Sequence, residues 1–134
     1  MVSLAYRVFQ TIETIRGVYY LQRTIEHDGR DVRVFVLGGR VLAAIERRAQ
    51  GWRTNIARGA VGSPITLPPA WAGLALRAAA AVGAEYAGVD LLPARDGGIY
   101  VLEVNGVPGW EGLQQATGID VAGALVDHLA VAAA

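Results

Sequence analysis

The stretches Gly88-Val89-Asp90 and Val101-Leu102-Glu103-Val104-Asn105 flank the segment Ala94-Arg95-Asp96-Gly97-Gly98, and together they decide the fold of this chain. An Asp-Gly pair between two apolar runs predicts a β-hairpin. With Asp96-Gly97 as a two-residue turn, Arg95 pairs with Gly98 and Asp90 lies directly opposite Glu103. Because strand side chains alternate, Asn105 shares the face of Glu103. The apolar residues take the other face: Val89, Leu91, Leu102 and Val104.

The polar face of this hairpin carries a candidate metal site. Two carboxylates that face each other across a strand pair repel each other, so a fold that keeps them there usually has a cation between them. Carboxylate and amide oxygens suit magnesium rather than zinc. Asp90, Glu103 and Asn105 therefore predict a magnesium site. A solvated polar patch beside a turn has the same pattern, and the residues alone leave both interpretations open.

Composition excludes several classes of protein. The 134 residues suit one domain with a real core, and 53% of them are hydrophobic. No apolar run reaches the roughly 18 residues of a membrane helix. The chain has no cysteine, which excludes disulfides, thiolate metal sites and a cysteine nucleophile. A formal net charge of zero gives no support for a nucleic-acid partner. We therefore expect a cytoplasmic protein that binds neither nucleic acid nor membrane.

The remaining elements follow from apolar spacing and turn signals. These signals predict a helix over 3–15, a strand over 18–25, a hairpin over 32–45 around Gly38-Gly39, a helix from Pro68-Pro69 to Gly83 and a last helix over 119–130. The expected buried stripes of the two later helices are Trp71, Leu74, Ala75, Ala78 and Val82, and then Val121, Leu125, Val126 and Leu129. This order predicts an α+β fold, an antiparallel sheet with helices packed on one face.

The Gly38-Gly39 turn also predicts which residues share a face in the first hairpin. Val32, Val34 and Val36 are expected on the core face, together with Val41, Ala43 and Ile45. The other face is expected to carry Asp31, Arg33 and Phe35 opposite Glu46, Ala44 and Leu42. An exposed charged face is the usual meaning of that second set.

Arginines form the second group of candidate functional residues. All twelve basic residues are arginine, so any step that needs a lysine amine must take it from outside this chain. The glycine-rich connection over 49–63 carries Arg53-Thr54-Asn55 and Arg58, which Arg33 and Arg47 can join. Such a set suits phosphate and carboxylate oxygens, although an ordinary basic loop is an equal alternative. Together with the paired carboxylates it suits metal-assisted phosphoryl transfer.

The ordered motifs of the chain resemble those of the ATP-grasp carboxylate–amine ligases, and most closely the RimK-type α-L-glutamate ligases. The motifs that carry the resemblance are Asp31-Val32-Arg33, Glu46-Arg47-Arg48, Arg53-Thr54-Asn55, Gly88-Val89-Asp90, Glu103-Val104-Asn105, Pro108-Gly109-Trp110 and Thr117-Gly118-Ile119-Asp120. The resemblance implies ATP- and magnesium-dependent ligation of an amino acid to a carboxylate through an acylphosphate. Glutamate is the expected amino acid. It also implies that the chain is the C-terminal catalytic lobe of such an enzyme.

The resemblance further implies roles for individual residues. Asp90, Glu103 and Asn105 would hold Mg²⁺, with Mn²⁺ as an alternative. The nucleotide would be contacted by Gln22, Arg23, Thr24, Asp31, Arg53, Thr54 and Asn55. The substrate carboxylate or acylphosphate would be contacted by Arg33, Arg47 and Arg58. Arg23 stands where the family has an acidic residue, and Val107 where it often has a small polar one, so nucleotide and substrate handling are expected to differ.

The resemblance implies that residues 1–134 are one subdomain, without the family's N-terminal domain and lysine-bearing ATP lobe. We therefore expect a chain that is inactive or weakly active alone, that works with the missing lobe in cis or in trans, and that self-associates through uncovered apolar surface. One alternative is a non-catalytic remnant that binds a nucleotide or a protein. Another is an unrelated magnesium-dependent phosphohydrolase.

Overall fold

The computed structural model describes residues 23–48 and 61–133. Within these ranges the elements are β1 (Arg30–Leu37), β2 (Arg40–Arg48), β3 (Val61–Pro64), α1 (Pro69–Ala81), β4 (Tyr86–Pro93), β5 (Ile99–Asn105), α2 (Glu111–Thr117) and α3 (Val121–Ala132). The predicted helix over 3–15 lies outside the described residues, as do residues 49–60. Of the strand predicted over 18–25, residues 23–25 are described, and they are not in a strand.

The five strands form one antiparallel sheet with the order β3-β2-β1-β4-β5. This confirms the predicted α+β fold and both predicted hairpins. β1 is the central strand because β2 and β4 pair with its two edges. Its residues are therefore protected from water by strands on both sides. None of the helices in the described ranges combines the length and the apolar character that a membrane span requires.

Helices cover both faces of the sheet, whereas the sequence predicted helices on one face only. On the first face, Val34 and Val89 pack with Ala75 and Ala79 of α1. On the second face, Phe35 and Ile45 pack with Leu113 of α2 and with Val121 at the start of α3. The physical reason is that β1 is apolar on both sides, so each side needs its own cover.

A β-bulge in the first hairpin changes the faces that the sequence predicted. Gly38 and Gly39 form the turn with φ values of 56° and 69°, as expected for the Gly-Gly pair. The register shifts between Phe35 and Val36, so Phe35 pairs with Ala43, Arg33 with Ile45 and Asp31 with Arg47. The predicted pairing of Asp31, Arg33 and Phe35 with Glu46, Ala44 and Leu42 is therefore wrong. A bulge adds one residue to a strand and turns all later side chains over.

The second hairpin pairs the two carboxylates as predicted, but its loop length and its strand register differ from the prediction. The Gly97 N–H donates to the Ala94 carbonyl at 3.1 Å and the Ala94 N–H donates to Gly98 at 2.9 Å, so the loop has three residues and not two. A second bulge between Asp90 and Leu91 compensates for the longer loop, and Asp90 still pairs with Glu103. The extra residue is Leu102, whose side chain is 51% exposed instead of lying on the apolar face.

Helix α1 confirms the prediction for this segment except at its end. It begins at Pro69, and its last turn is closed by N–H groups of Gly83 and Ala84, which donate to Ala80 and Ala79. Gly83 has a φ of 65°, a value that suits glycine at this point. Val82 lies beyond the last turn and is 64% exposed, so its predicted burial is wrong.

The last predicted helix, over 119–130, corresponds to α3, and the short helix α2 precedes it. Helix α2 was not predicted, because its apolar residues are too few to show a period. Helix α3 begins at Val121, where the Asp120 side chain accepts a hydrogen bond from the Gly123 N–H at 3.0 Å. Val121 is fully buried, but Val126 and Leu129 are each 65% exposed, so their predicted burial is wrong in the described part of the chain.

Candidate functional site

The three predicted metal ligands lie on one face of the β4–β5 hairpin. Asp90 pairs directly with Glu103, and Asn105 is two residues further along β5, opposite Gly88. Asp90 is 7% exposed, whereas the side chain of Glu103 is open to solvent. The Asn105 Oδ1 atom accepts a hydrogen bond from the Val107 N–H at 2.9 Å, which orients the amide. The hairpin therefore brings two carboxylates and one amide oxygen to the same side of the sheet.

Two arginines hold the carboxylate of Asp90. Arg33, its partner on β1, donates from Nε to Oδ1 and from Nη2 to Oδ2, both at 2.8 Å. Arg47 on β2 places its Nη2 atom 2.9 Å from Oδ2 of the same residue. The bidentate geometry of Arg33 is the strong form of an arginine–carboxylate pair. Two of the three predicted substrate-contacting arginines, Arg33 and Arg47, thus lie beside the predicted metal ligands.

Asp31 holds Arg47 in turn. The Arg47 Nε and Nη2 atoms donate to the two carboxylate oxygens of Asp31 at 2.5 and 2.7 Å. Both side chains are 4% exposed, so this pair is more deeply buried than the pair of Arg33 and Asp90. The sequence did not predict the contact, because it depends on the bulge that turns Arg47 toward Asp31. The contact of Asp31 with a nucleotide stays a prediction.

These four residues form a connected group that we call the Arg–Asp network: Asp31, Arg33, Arg47 and Asp90. Its formal charges cancel, as buried charges require. Burial by itself disfavours the charged guanidinium of Arg47, but the hydrogen bonds and charges of Asp31 and Asp90 outweigh it, so the pKa of Arg47 lies above its ordinary value. Arg47 is therefore a permanent cation in a poorly solvated place, where its charge acts strongly on any nearby anion.

A close backbone contact positions the segment that follows Asn105. A Cβ atom added to Gly88 would lie 2.8 Å from the Cβ of Pro108, which is closer than two carbon atoms tolerate. The Tyr86 hydroxyl donates to the Pro108 carbonyl at 3.4 Å, and burial raises the pKa of Tyr86. Pro108 is buried against β4 in this way. Gly88 is thus a positioning residue that the sequence analysis treated only as part of a motif.

The donor set suits magnesium in its chemistry. Asp90, Glu103 and Asn105 supply the hard oxygen ligands that Mg²⁺ prefers. Among the described residues no three His, Cys, Asp or Glu side chains form a metal cluster, so the amide of Asn105 is needed as the third donor. An ionised carboxylate has about four lone-pair sites, of which the guanidinium contacts of Asp90 use three. A cation and two guanidiniums on one face would favour the oxygens of phosphate or carboxylate groups.

The structure tests the position of only some predicted nucleotide and substrate residues. Arg23 and Thr24 lie in an exposed segment without regular structure. Five others lie outside the described residues, and their roles stay predictions: Gln22, Arg53, Thr54, Asn55 and Arg58.

Comparison with known proteins places the chain among ATP-grasp domains. The model of the RimK-like ATP-grasp domain matches residues 5–129. A probable α-L-glutamate ligase of Rhodopirellula baltica is 40% identical over 131 residues, which cover 96% of this chain and 32% of the relative. The tetrahydromethanopterin:α-L-glutamate ligase of Methanococcus maripaludis is 36% identical over 125 residues, 91% of this chain and 42% of the relative. The chain thus spans about a third to two fifths of these curated relatives.

Solved structures give the same result for the fold. The ATP-grasp ligase PsnB, in complex with minimal precursor, Mg and ADP, matches with a TM-score of 0.65 and 28% identity. The match covers 78% of this chain and 33% of PsnB. Its ligands agree with ATP and Mg²⁺ as the typical requirements of such ligases.

Proposed function

The chain belongs to the RimK-like ATP-grasp family, and from this premise we propose that it is the C-terminal catalytic lobe of an ATP-dependent ligase. The reaction that we propose joins an amino acid, with glutamate as the first candidate, to a carboxylate through an amide bond. The names of the relatives from Rhodopirellula baltica and Methanococcus maripaludis support glutamate. The dependence on ATP points to a cytoplasmic location, which is part of the same proposal.

The proposed chemistry has two balanced steps. A carboxylate oxygen of the acceptor attacks the γ-phosphorus of ATP, an acylphosphate forms and ADP leaves. The amino nitrogen of the second substrate then attacks the acyl carbon, the amide bond forms, phosphate leaves and the nitrogen loses a proton. Both steps concentrate negative charge on phosphate oxygens, so positioning and charge neutralisation carry the catalysis.

Each part of the site has a place in this proposal. Asp90, Glu103 and Asn105 would hold Mg²⁺ or Mn²⁺, which when bound neutralises the charge of the nucleotide phosphates. Arg33 and Arg47 would bind the acceptor carboxylate or the acylphosphate, because arginine matches both groups with two parallel hydrogen bonds. Residues 22–24 and 53–55, with Asp31, remain proposed nucleotide contacts, and Arg58 remains a proposed substrate contact.

One observation carries the proposal. Asp90 is paired with Glu103 across the strands and is held by Arg33 and Arg47 on the same face. A solvated polar patch would not need a 7% exposed carboxylate or a 4% exposed guanidinium. Burial of several charges together is typical of a site whose charges act on a ligand.

A chimera tests the proposal with one defined acceptor. In this chimera, the chain replaces the matched segment of the Rhodopirellula baltica relative. The assay traps the acylphosphate of a glutamate-terminated peptide with hydroxylamine, in the presence of ATP and Mg²⁺. We expect hydroxamate to form and ADP to be released. Asp90→Asn should lower this rate at least about a hundredfold, since metal stabilisation of phosphoryl transfer is worth several kcal/mol.

Asp127→Asn is the matched control, because it removes an exposed carboxylate from α3. It should leave the rate unchanged. A folded chimera that releases no ADP, or one that tolerates Asp90→Asn, would contradict the proposal. The first of these results would favour the alternative of a non-catalytic nucleotide- or protein-binding remnant.

The partners are proposed as well. We propose that the chain works with a lysine-bearing ATP lobe in cis or in trans, and that it is inactive or weakly active alone. Val126, Leu129 and Val131 on α3 are exposed apolar residues that support self-association or contact with that lobe. Light scattering after size-exclusion chromatography would contradict self-association if it showed a monomer at high concentration.

A further inference from the structure

Asp90 binds two cations that belong to the protein itself. Arg33 contacts both of its oxygens at 2.8 Å, and Arg47 contacts Oδ2 at 2.9 Å. The carboxylate is 7% exposed, so solvent does little to weaken these contacts. The guanidiniums therefore already supply the charge neutralisation that a metal ion would bring to Asp90.

A divalent cation bound by Asp90 and Glu103 would leave this group with excess positive charge, because the cation, Arg33 and Arg47 carry four positive charges. Asp31, Asp90 and Glu103 carry three negative charges. Each like-charge pair at short range is strongly repulsive in a poorly solvated site. Binding of a cation at Asp90 is therefore favoured by release of a guanidinium, and by an anion that binds beside it and takes up the freed hydrogen-bond donors. This competition is a property of the described side chains and does not depend on the identity of the substrate.

The two arginines are not held equally. Arg47 is bound to Asp31 as well as to Asp90, and its side chain is 4% exposed. The Arg33 side chain is 18% exposed, and among the described residues its ion pair is with Asp90. Release of Arg33 thus breaks one ion pair of a partly exposed side chain, whereas release of Arg47 would break two ion pairs of a more deeply buried one. Asp31 acts here as a positioning residue that keeps Arg47 in place.

We propose that Arg33 is an internal competitor of the divalent cation at Asp90, and that it swings from Asp90 to an anionic ligand when the cation binds. This inference rests on the proposed function, because it takes Asp90 as a cation ligand. It makes cation and anion binding mutually dependent: each favours the form of the site that the other needs. A divalent cation that arrives without its anion then binds more weakly than one that arrives with it.

Replacement of Arg33 is expected to increase the affinity for a divalent cation, whereas the loss of a residue from a binding site usually lowers affinity. Arg33→Gln should increase the affinity of the 134-residue chain for Mn²⁺ alone, by about tenfold, within the usual range of such coupling. Free Mn²⁺ is measured by electron paramagnetic resonance in titrations without nucleotide. A merely structural role of Arg33 predicts the opposite, because a disordered site binds a cation less tightly.

Arg48→Gln is the matched control for the change in net charge. Arg48 lies on β2 like Arg47, is 68% exposed and pairs with Glu46 instead of Asp90. It should leave the Mn²⁺ affinity unchanged. If Arg33→Gln does not fold, as judged by circular dichroism, Arg33→Lys replaces it. Lysine keeps the charge but loses the bidentate contact, so we expect a smaller increase in affinity.

A double variant separates the failure of this inference from the failure of the proposed function. Asp90→Asn should abolish the gain in Mn²⁺ affinity when it is added to Arg33→Gln. If Arg33→Gln leaves the affinity unchanged or lowers it while Asp90→Asn still impairs the chimera, only the competition is refuted. If Asp90→Asn affects neither Mn²⁺ binding by Arg33→Gln nor the activity of the chimera, the metal site itself is refuted.

Discussion

Asp31→Asn removes one charge from the Arg–Asp network and keeps the size of the side chain. In the folded protein the Arg47 guanidinium is 4% exposed and donates two hydrogen bonds to Asp31, at 2.5 and 2.7 Å. An asparagine offers one oxygen and one NH₂ group, and the NH₂ group would face a donor of Arg47. The variant therefore leaves a buried cation with half of its former partners at this position.

The expected loss of stability follows from this geometry. Removal of one partner from a buried ion pair costs roughly 3–5 kcal/mol. Asp90 still holds Arg47 at 2.9 Å, so we expect the lower end of that range. A loss of about 3 kcal/mol corresponds to a decrease of about 10 °C in the melting temperature of a domain of this size.

Urea denaturation of the 134-residue chain measures the effect, and a double-mutant cycle with Arg47→Met assigns it to the pair. In the double variant no buried cation faces the introduced amide, so the loss should be about 2 kcal/mol smaller than the sum of the single losses. Asp28→Asn is the control, because Asp28 pairs with Arg95 in solvent and should leave the midpoint unchanged. Strict additivity, or a wild-type midpoint for Asp31→Asn, would refute the assignment of Asp31 as the buried counter-ion.

Three further changes test other parts of the structure. Gly88→Ala should destabilise the chain by about 1–3 kcal/mol in urea denaturation, since its Cβ would lie 2.8 Å from Pro108; Gly106→Ala, which meets nothing within 4 Å, should not show this loss. Asp120→Ala should cost about 1 kcal/mol, because it removes the N-cap of α3, and replacement by asparagine should restore most of it. Burial opposes the charge of Glu46, but two arginines outweigh it and lower its pKa below 4.5. The stabilisation by ionised Glu46 is therefore present above pH 4.5 and is lost as the pH falls through the lowered pKa. The difference in unfolding free energy between wild type and Glu46→Gln should therefore decrease on acidification. A difference that is constant with pH would contradict this.

Four of the five strands of the sheet could be predicted, because their signals are local, whereas β3 begins inside the predicted connection over 49–63. Alternating apolar residues and the glycine turns indicate both hairpins, and the proline pair at the start with Gly83 at the end delimits α1. The exposed ends of the apolar stripes at Val82 and Leu129 could not be predicted. Period alone shows which side of a helix is apolar, but not how far along the helix a neighbour covers it.

Residue types alone indicated the chemistry of the candidate site, and the pairing of Asp90 with Glu103 was predicted correctly. The route to it was wrong twice: the loop is one residue longer than expected, and a bulge beside Asp90 restores the register. Two opposite shifts of one residue cancel. The predicted pair was therefore correct because the longer loop and the bulge shift the register by one residue in opposite directions.

Sequence by itself determined the donor types, the two hairpins and the arginines available to hold an anion. Only the tertiary structure decided which of those arginines reach Asp90. Ala43 and Ala44 are both small and apolar, so the pattern of β2 is equally good in two registers that differ by one residue. Because side chains alternate with a period of two, that single residue turns Arg47 from one face of the sheet to the other. The bulge chooses the register in which Ile45 packs on Phe35 and Arg47 meets Asp31, and burial of both pairs is a property of the assembled sheet.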